Sequence, residues 1–400
     1  MVQKMYRFER GGNMKKLSTR GTLFNESIIR RMTRVALDTG AINLAQGFPD
    51  FDPPKEMLRR LEEISYEGPH QYPIDFGAKN FRDAACRKIE RFSGRHIDPE
   101  TEICVTIGST EAMVDALFTL TDPGDRVVMF SPYFENYRAQ TIMADCEPVF
   151  VPLVPPEYKF DPQLLEDEFK KGAKVIIICN PSNPSGKVFT REEMQIIADL
   201  CIKYDVYAVT DEVYEHIIYD GRPMVYMNTL PGMWERTIAC SSLSKTYSVT
   251  GWRLGWAVGP EHIIDMIKAY HDFDTVGSPS VLMEAAVTGL EFPDSYYEEF
   301  GAHYAHMKKI FTEGFKTIGI PFTEPEGTYF MLADMSPYMK KGESDADFCE
   351  RLAREIGVAT VPGSSFFAEP VDGIVRLHFA KLDSTLYEAL ERLQNIKKML

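Results

Sequence analysis

The stretch SSLSKTYSVTGWRLGW, Ser241 to Trp256, sets one lysine, Lys245, among small hydroxyls. Arg253 follows eight residues later, between Gly251 and Gly255. A surface lysine needs no such company. Burial favours a neutral, nucleophilic amine, so a lysine enclosed here is a candidate for imine chemistry. Other chemistry-bearing groups recur at the ends of apolar runs: GSTEA from Gly108, SPYFENY from Ser131, NPSNPSG from Asn180 and DEVY from Asp211. Ser109 and Thr110 open a helix whose free N–H groups suit a phosphate, although both are also ordinary helix caps. Arg253, Ser242 and Ser244 complete an anion site there, because a guanidinium offers forked donors; a structural salt bridge is the plainer role for Arg253. Asp211 suits a cationic ring nitrogen, or else caps a helix over EVYEHII. Asn183 sits between prolines, where turn chemistry alone explains it. Phe134 suits a flat ring or the core.

These residues need a scaffold that brings strand ends together. Apolar runs at 102–108, 125–131, 173–180, 206–212, 236–242 and 253–259 read as strands. The segments 109–120, 134–145 and 190–204 read as helices between them, and 26–38 as an amphipathic helix. That alternation predicts an α/β fold with a mostly parallel sheet covered on both faces. In such sheets ligands bind beyond the carboxyl ends of the strands, where all five motifs would converge. A long helix at 295–317, strands near 327–335 and 373–380, and a helix over 384–400 predict a smaller α+β region. The N-terminal helix packs with it in this reading. The predicted division is an arm at 1–23, a discontinuous small domain at 24–50 and 295–400, and a large cofactor-binding domain at 51–294.

A phosphate site, an imine-forming lysine, an acid for a pyridinium and an aromatic for stacking together describe a site for pyridoxal 5'-phosphate. NPSNPSG, TDEVYE, SLSKTYSVTGWRLGW and GIVRLHFA, in this order and spacing, resemble the class I/II aminotransferases, pyridoxal-phosphate enzymes of fold type I. INLAQGFPDF, GTYFMLAD and VPGSSFF are most similar to the kynurenine, glutamine and methionine aminotransferase branch. The resemblance implies that Lys245 carries the internal aldimine and Asp211 pairs the pyridine nitrogen. It implies Asn183 and Tyr214 on the ring's phenolic oxygen and Phe134 on its face. Ser109, Thr110, Ser242 and Arg253 would bind the phosphate. Arg376 would clamp the substrate α-carboxylate, assisted by Asn183 and the backbone of Gly47. Tyr72, in HQYPIDFG, resembles a tyrosine that reaches the phosphate from a neighbouring subunit, which implies a homodimer with shared sites. HQYPIDFG lacks the family's usual threonine after that tyrosine. Thr110 stands where aspartate-specific relatives resemble GGKQA, with a lysine for acidic side chains.

The expected activity is ping-pong transfer of the α-amino group of an L-amino acid to a 2-oxo acid. An aromatic, sulfur-containing or glutamine-like donor is favoured. An aspartate-type aminotransferase and a pyridoxal-phosphate carbon–sulfur β-lyase are the alternatives. A binding module without turnover is the reading from another class. The net charge of −15 over 400 residues argues against nucleic acid or an anionic membrane as a partner. No apolar run is as long as a membrane span. Seven scattered cysteines without a CxxC predict reduced thiols and a cytoplasmic protein. The eight histidines form no metal signature, and no metal is expected.

Overall fold

The computed structural model describes Ser18, Leu23, Phe24 and residues 26–399. The predicted arm, 1–23, lies mostly outside the described residues. In chain order the elements begin with α1 (Ile28–Thr39), β1 (Ile42–Asn43), α2 (Lys55–Glu67), α3 (Lys79–Ser93), β2 (Ile103–Thr106) and α4 (Ser109–Leu120). Next come β3 (Arg126–Ser131), α5 (Glu135–Met143), β4 (Glu147–Val154), β5 (Lys159–Phe160), α6 (Pro162–Lys170), β6 (Ala173–Cys179) and α7 (Arg191–Tyr204). The chain continues through β7 (Tyr207–Asp211), β8 (Thr237–Ser242), β9 (Gly255–Val258), α8 (Glu261–Thr275), α9 (Ser280–Leu290) and α10 (Asp294–Ile318). It ends with β10 (Phe330–Asp334), α11 (Asp345–Glu355), β11 (Val358–Ala359), β12 (Val361–Pro362), β13 (Ile374–His378) and α12 (Asp383–Leu393).

Eight strands form the main sheet in the order β2-β9-β8-β7-β6-β3-β4-β5. The centre, from β8 through β7, β6 and β3 to β4, is parallel. Its strands are apolar on both faces because helices cover both: Val175 to Cys179 are all buried. The α/β expectation holds, with two additions. The strand expected at 253–259 is β9, and it runs antiparallel between β8 and β2. The run Glu147–Val154, which had no sequence assignment, is a parallel strand beside β3.

A three-stranded antiparallel sheet, β10-β13-β12, lies in a separate apolar cluster with α1, α10, α11 and α12. α1 earns its place there through Ile29, Met32, Val35 and Ala36, which recur on one helical face. Ser27 caps it, accepting from the Arg30 N–H, and Gly40 ends it in the left-handed region at φ 67°. The C-terminal helix is shorter than expected. It stops at Leu393, and a 3-10 turn over Ile396–Met399 follows, which lets Ile396 and Met399 enter the core.

Candidate active site

The carboxyl ends of the parallel strands gather the predicted motifs, and each is shaped by its local chain. After β2, Gly108 turns at φ 74° and ψ 169° into α4. The first N–H groups of α4 have no acceptor within the helix, which leaves donors free at Ser109 and Thr110 in a cradle that an anion could fill. Two close approaches build that cradle. A Cβ on Gly255 would lie 2.6 Å from Gly108 C and Ser109 N, and one on Gly108 would lie 2.5 Å from Arg253 Nη2. Arg253, itself at φ 56°, donates to Thr250 O at 3.1 Å and Ile107 O at 3.2 Å. It forms no ion pair among the described residues, so its charge is not spent on the salt bridge considered above. Ser242 and Ser244 are buried at the end of β8, and the Ser244 N–H donates to Ser242 Oγ at 3.3 Å. Thr110 is exposed and Ser109 half-buried.

Asp211 ends β7 with its carboxylate buried. Tyr137 Oη donates to its Oδ2 at 2.7 Å, and the Val213 N–H reaches Oδ1 at 3.4 Å. Burial pushes the Asp211 carboxyl above its ordinary range, while the Tyr137 hydrogen bond, the Val213 N–H and the charge of Lys245 pull it back. No helix follows: Val213 to His216 form a turn, so Asp211 is not the cap of a helix. Tyr137 was not singled out by sequence. Its partner lies 74 residues away, and no local pattern marks that pairing.

The NPSNPSG turn is pinned by its first asparagine. Asn180 Oδ1 accepts from the Phe189 N–H at 3.0 Å, and Ser182 N–H donates to Lys187 O at 2.8 Å. Asn183 is thereby free to turn its side chain outward from the loop, where its Oδ1 accepts from Arg376 Nη1 at 2.8 Å. Arg376 lies on β13 opposite Leu332 of β10. It is 1% exposed and sits between the rings of Phe330 and Phe366, at 4.2 and 4.5 Å. Its Nη2 donates to Ala45 O at 2.9 Å, while its Nε has no partner. Burial lowers its pKa to about 10, so it stays charged at neutral pH.

The segment Ala45–Gly47 joins the two charged ends of the site. Asn43 Oδ1 accepts from the N–H groups of Ala45 and Gln46 at 3.0 and 3.1 Å, a turn that aims the carbonyls inward. Ala45 O takes Arg376; Gly47 O takes Tyr329 Oη at 2.9 Å and Lys245 Nζ at 3.4 Å. Gly47 is forced: a Cβ would lie 2.5 Å from the Phe330 ring. Lys245 is half-buried rather than enclosed, with its Nζ 5.9 Å from the Tyr214 ring centre and 6.0 Å from that of Tyr329. Tyr214 is buried and meets Tyr329 edge-on at 5.3 Å. Phe134 is half-buried at the start of α5, edge-on to Tyr137 at 5.7 Å.

Two groups are not part of this gathering. Tyr72 is 83% exposed and does not join the site within its own chain. The seven cysteines are free and buried, and burial pushes the Cys179 thiol up to about 12, so it is no nucleophile. No helix among the described residues is long and apolar enough to cross a membrane.

The residues present fit the cofactor named from sequence. Arg376 keeps an unpartnered donor, Arg253 carries an unneutralised charge beside a helix N-terminus, and Gly108 and Gly255 leave room that a side chain would fill. The family model for aminotransferase class I and II matches residues 39–393. This chain belongs to the class I and II aminotransferases. It is 34% identical over 388 residues to kynurenine–oxoglutarate transaminase 3 of Mus musculus, covering 90% of this chain and 85% of that one. Among solved structures it is similar to N-succinyldiaminopimelate aminotransferase of Mycobacterium tuberculosis. There the TM-score is 0.90 and the identity 33%, over 96% of this chain and all of that one. A methionine aminotransferase of Escherichia coli matches at TM-score 0.90 and 31% identity, with 96% of this chain and 100% of that one covered. The aminotransferase therefore has the fold type I architecture and depends on pyridoxal phosphate.

Proposed function

We propose that this aminotransferase takes its amino group from an aromatic, sulfur-containing or glutamine-like L-amino acid and passes it to a 2-oxo acid. The observation that carries this reading is the Ala45–Gly47 segment, with the Arg376 guanidinium at one carbonyl and the Lys245 amine at another. An α-amino acid presents a carboxylate and an amine at a fixed short distance, and this pair is set to meet both. Arg376, oriented by Asn183 and Ala45 O, holds the α-carboxylate, with Gly47 beside it. Asp211 holds a proton at the ring nitrogen, and Asn183 and Tyr214 steady the ring oxygen. Phe134 covers the ring face, and Ser109, Thr110, Ser242 and Arg253 hold the phosphate. The bound cofactor supplies the electron sink for the bond broken at the substrate Cα. Lys245 Nζ then moves the Cα proton as general acid and base. Thr110 in place of a lysine favours uncharged side chains over aspartate.

The proposal extends to a cytoplasmic role in amino-acid metabolism and to a homodimer in which Tyr72 serves the neighbour's phosphate. Tyr66, Tyr72, Ile74, Phe273 and Val276 are at least half exposed, an apolar set suited to a second copy. The small and large units are proposed to divide at 24–50 with 295–400, and at 51–294. The test is a visible-absorption titration with methionine, kynurenine, glutamine, phenylalanine and aspartate. The expected result is an imine band lost with one of the first four and restored by a 2-oxo acid. A band that responds only to aspartate, or pyruvate release from cystine without any oxo acid, would defeat the reading.

A further inference from the structure

His271 of α8 is fully buried, and its two ring nitrogens are engaged on two different segments, the start of α4 and the loop before α3. Nδ1 lies 2.8 Å from Glu111 Oε1, on the first turn of α4. Nε2 donates to Asp75 O at 2.9 Å, in the loop that carries Tyr72. Glu111 is in turn bound to the phosphate turn: its Oε2 accepts from the Ile107 N–H, and Oε1 also accepts from Thr275 Oγ1 at 2.9 Å. Ile107 O is the acceptor of Arg253 Nη2. The loop has other ties as well: Arg82 Nε donates to Gly77 O at 3.0 Å. The Val105 N–H donates to Phe76 O at 3.0 Å, and Ser280 Oγ to Gln71 O at 2.8 Å. One imidazole therefore spans from the anion cradle to the loop at 71–77.

We propose that His271 is a positioning residue that couples the phosphate turn of its own chain to the loop presenting Tyr72 to the neighbouring subunit. The proposal rests on the reading of Ser109, Thr110 and Arg253 as the phosphate cradle and of Tyr72 as the neighbour's ligand. Filling one cradle draws on the Ile107–Glu111–His271–Asp75 chain and so steadies the loop that completes the other cradle. Coupling of this kind is reciprocal: the loop's engagement strengthens the first cradle by the same factor.

The asymmetric hydrogen bonding gives a clean test. Asparagine places its amide near the position of Nδ1, and glutamine near that of Nε2. In the full-length protein, hydrogen exchange of residues 70–77 is measured with and without pyridoxal phosphate, beside the cofactor's dissociation constant from fluorescence titration. In the wild type, exchange at 70–77 slows when the cofactor binds. In His271→Asn, 70–77 exchanges faster and no longer responds to cofactor, since the hydrogen bond to Asp75 O is the one removed, and affinity falls only by the share that the coupled loop contributed, about threefold. In His271→Gln the loop keeps its protection and affinity falls on the order of tenfold, as expected for one missing charge-assisted hydrogen bond. Asn and Gln variants that behave alike, or a wild-type loop indifferent to the cofactor, would overturn the coupling. Two controls separate the underlying reading. Tyr72→Phe with unchanged affinity removes the Tyr72 role and with it the link between subunits. A wild type that fails to bind the cofactor removes the proposed function, while the cofactor-free exchange of the two variants still decides the strut.

Discussion

Arg376 and Asp211 show how single charges are kept usable inside the protein. Each is buried, and each is held by neutral partners rather than by an opposite charge: Asn183 and a carbonyl for one, a phenol and a backbone N–H for the other. A full ion pair would spend the charge before the ligand arrives. Tyr137 thus acts through Asp211, and its removal is testable. Burial raises the Asp211 pKa and the Tyr137 hydrogen bond lowers it. In Tyr137→Phe the Asp211 pKa therefore climbs further, and the ionised form that its proposed role beside the ring nitrogen requires is lost at a higher pH. The pH profile of kcat should show its acid limb shifted upward, with kcat lower by about tenfold near that limb, as fits one missing hydrogen bond to a charge. An unshifted profile would put Tyr137 outside the chemistry. Most of the candidate site was legible at this scale because such residues recur at successive strand ends, although each alone has an ordinary structural use. Tyr137 and Glu111 were not legible, since each is one of many polar residues on a helix and only three-dimensional pairing sets it apart.

At the scale of elements, the turn proposed to hold the phosphate depends on β9 being pressed against it. Gly255 has no room for even a methyl group, with Gly108 C and Ser109 N at 2.6 Å from a Cβ. Gly255→Ala must push the turn off β9, at a cost of about 1–3 kcal/mol in overpacking. Cofactor affinity measured by equilibrium dialysis should fall by at least tenfold, and a variant that binds normally would show that the turn is not the cradle. The sequence marks this approach only as a glycine beside an arginine; what lies opposite comes from the antiparallel insertion of β9 between β8 and β2. That insertion has no sequence signature, because apolar alternation reports burial and not direction. The strand Glu147–Val154 escaped for a related reason: its Pro148 and Pro152 read as punctuation, yet it keeps an alternating pattern of burial beside β3.

At the scale of the whole molecule, two apolar assemblies meet around the site, one built on the parallel sheet and one on β10-β13-β12. The parallel sheet was readable from runs such as AKVIIIC. The pairing of Asn183 with Arg376 was expected only through the family resemblance, and the Ala45 carbonyl on the same guanidinium appears only after folding, because the three lie far apart in sequence. Burial that serves this packing also leaves a cost. Asp115 of α4 is 1% exposed and its Oδ2 has no partner. Burial, aided by the charge of Glu111, raises its pKa from 3.8 to about 7. Between those values the folded protein holds a proton that the unfolded chain has released. Stability from this group is therefore greatest below about pH 4 and declines as pH rises towards 7. Asp115→Asn removes that decline. Its melting temperature should exceed the wild type's at pH 8, by an amount that shrinks towards pH 5. Each pH unit of displacement is worth about 1.4 kcal/mol, so the gain at pH 8 is on the order of a few kcal/mol. Parallel melting curves for the two proteins from pH 5 to 8 would contradict this account of Asp115.

The central claim is that Lys245, beside Gly47 and across from Arg376, is the residue that engages the cofactor. Borohydride reduction of the purified protein loaded with pyridoxal phosphate, followed by digestion and peptide mass mapping, tests it directly. The account predicts that the reduced cofactor is recovered on the peptide containing Ser244-Lys245-Thr246, and that prior incubation with a reactive amino acid donor abolishes the label. Recovery on any other lysine, or a label indifferent to every donor, would contradict it.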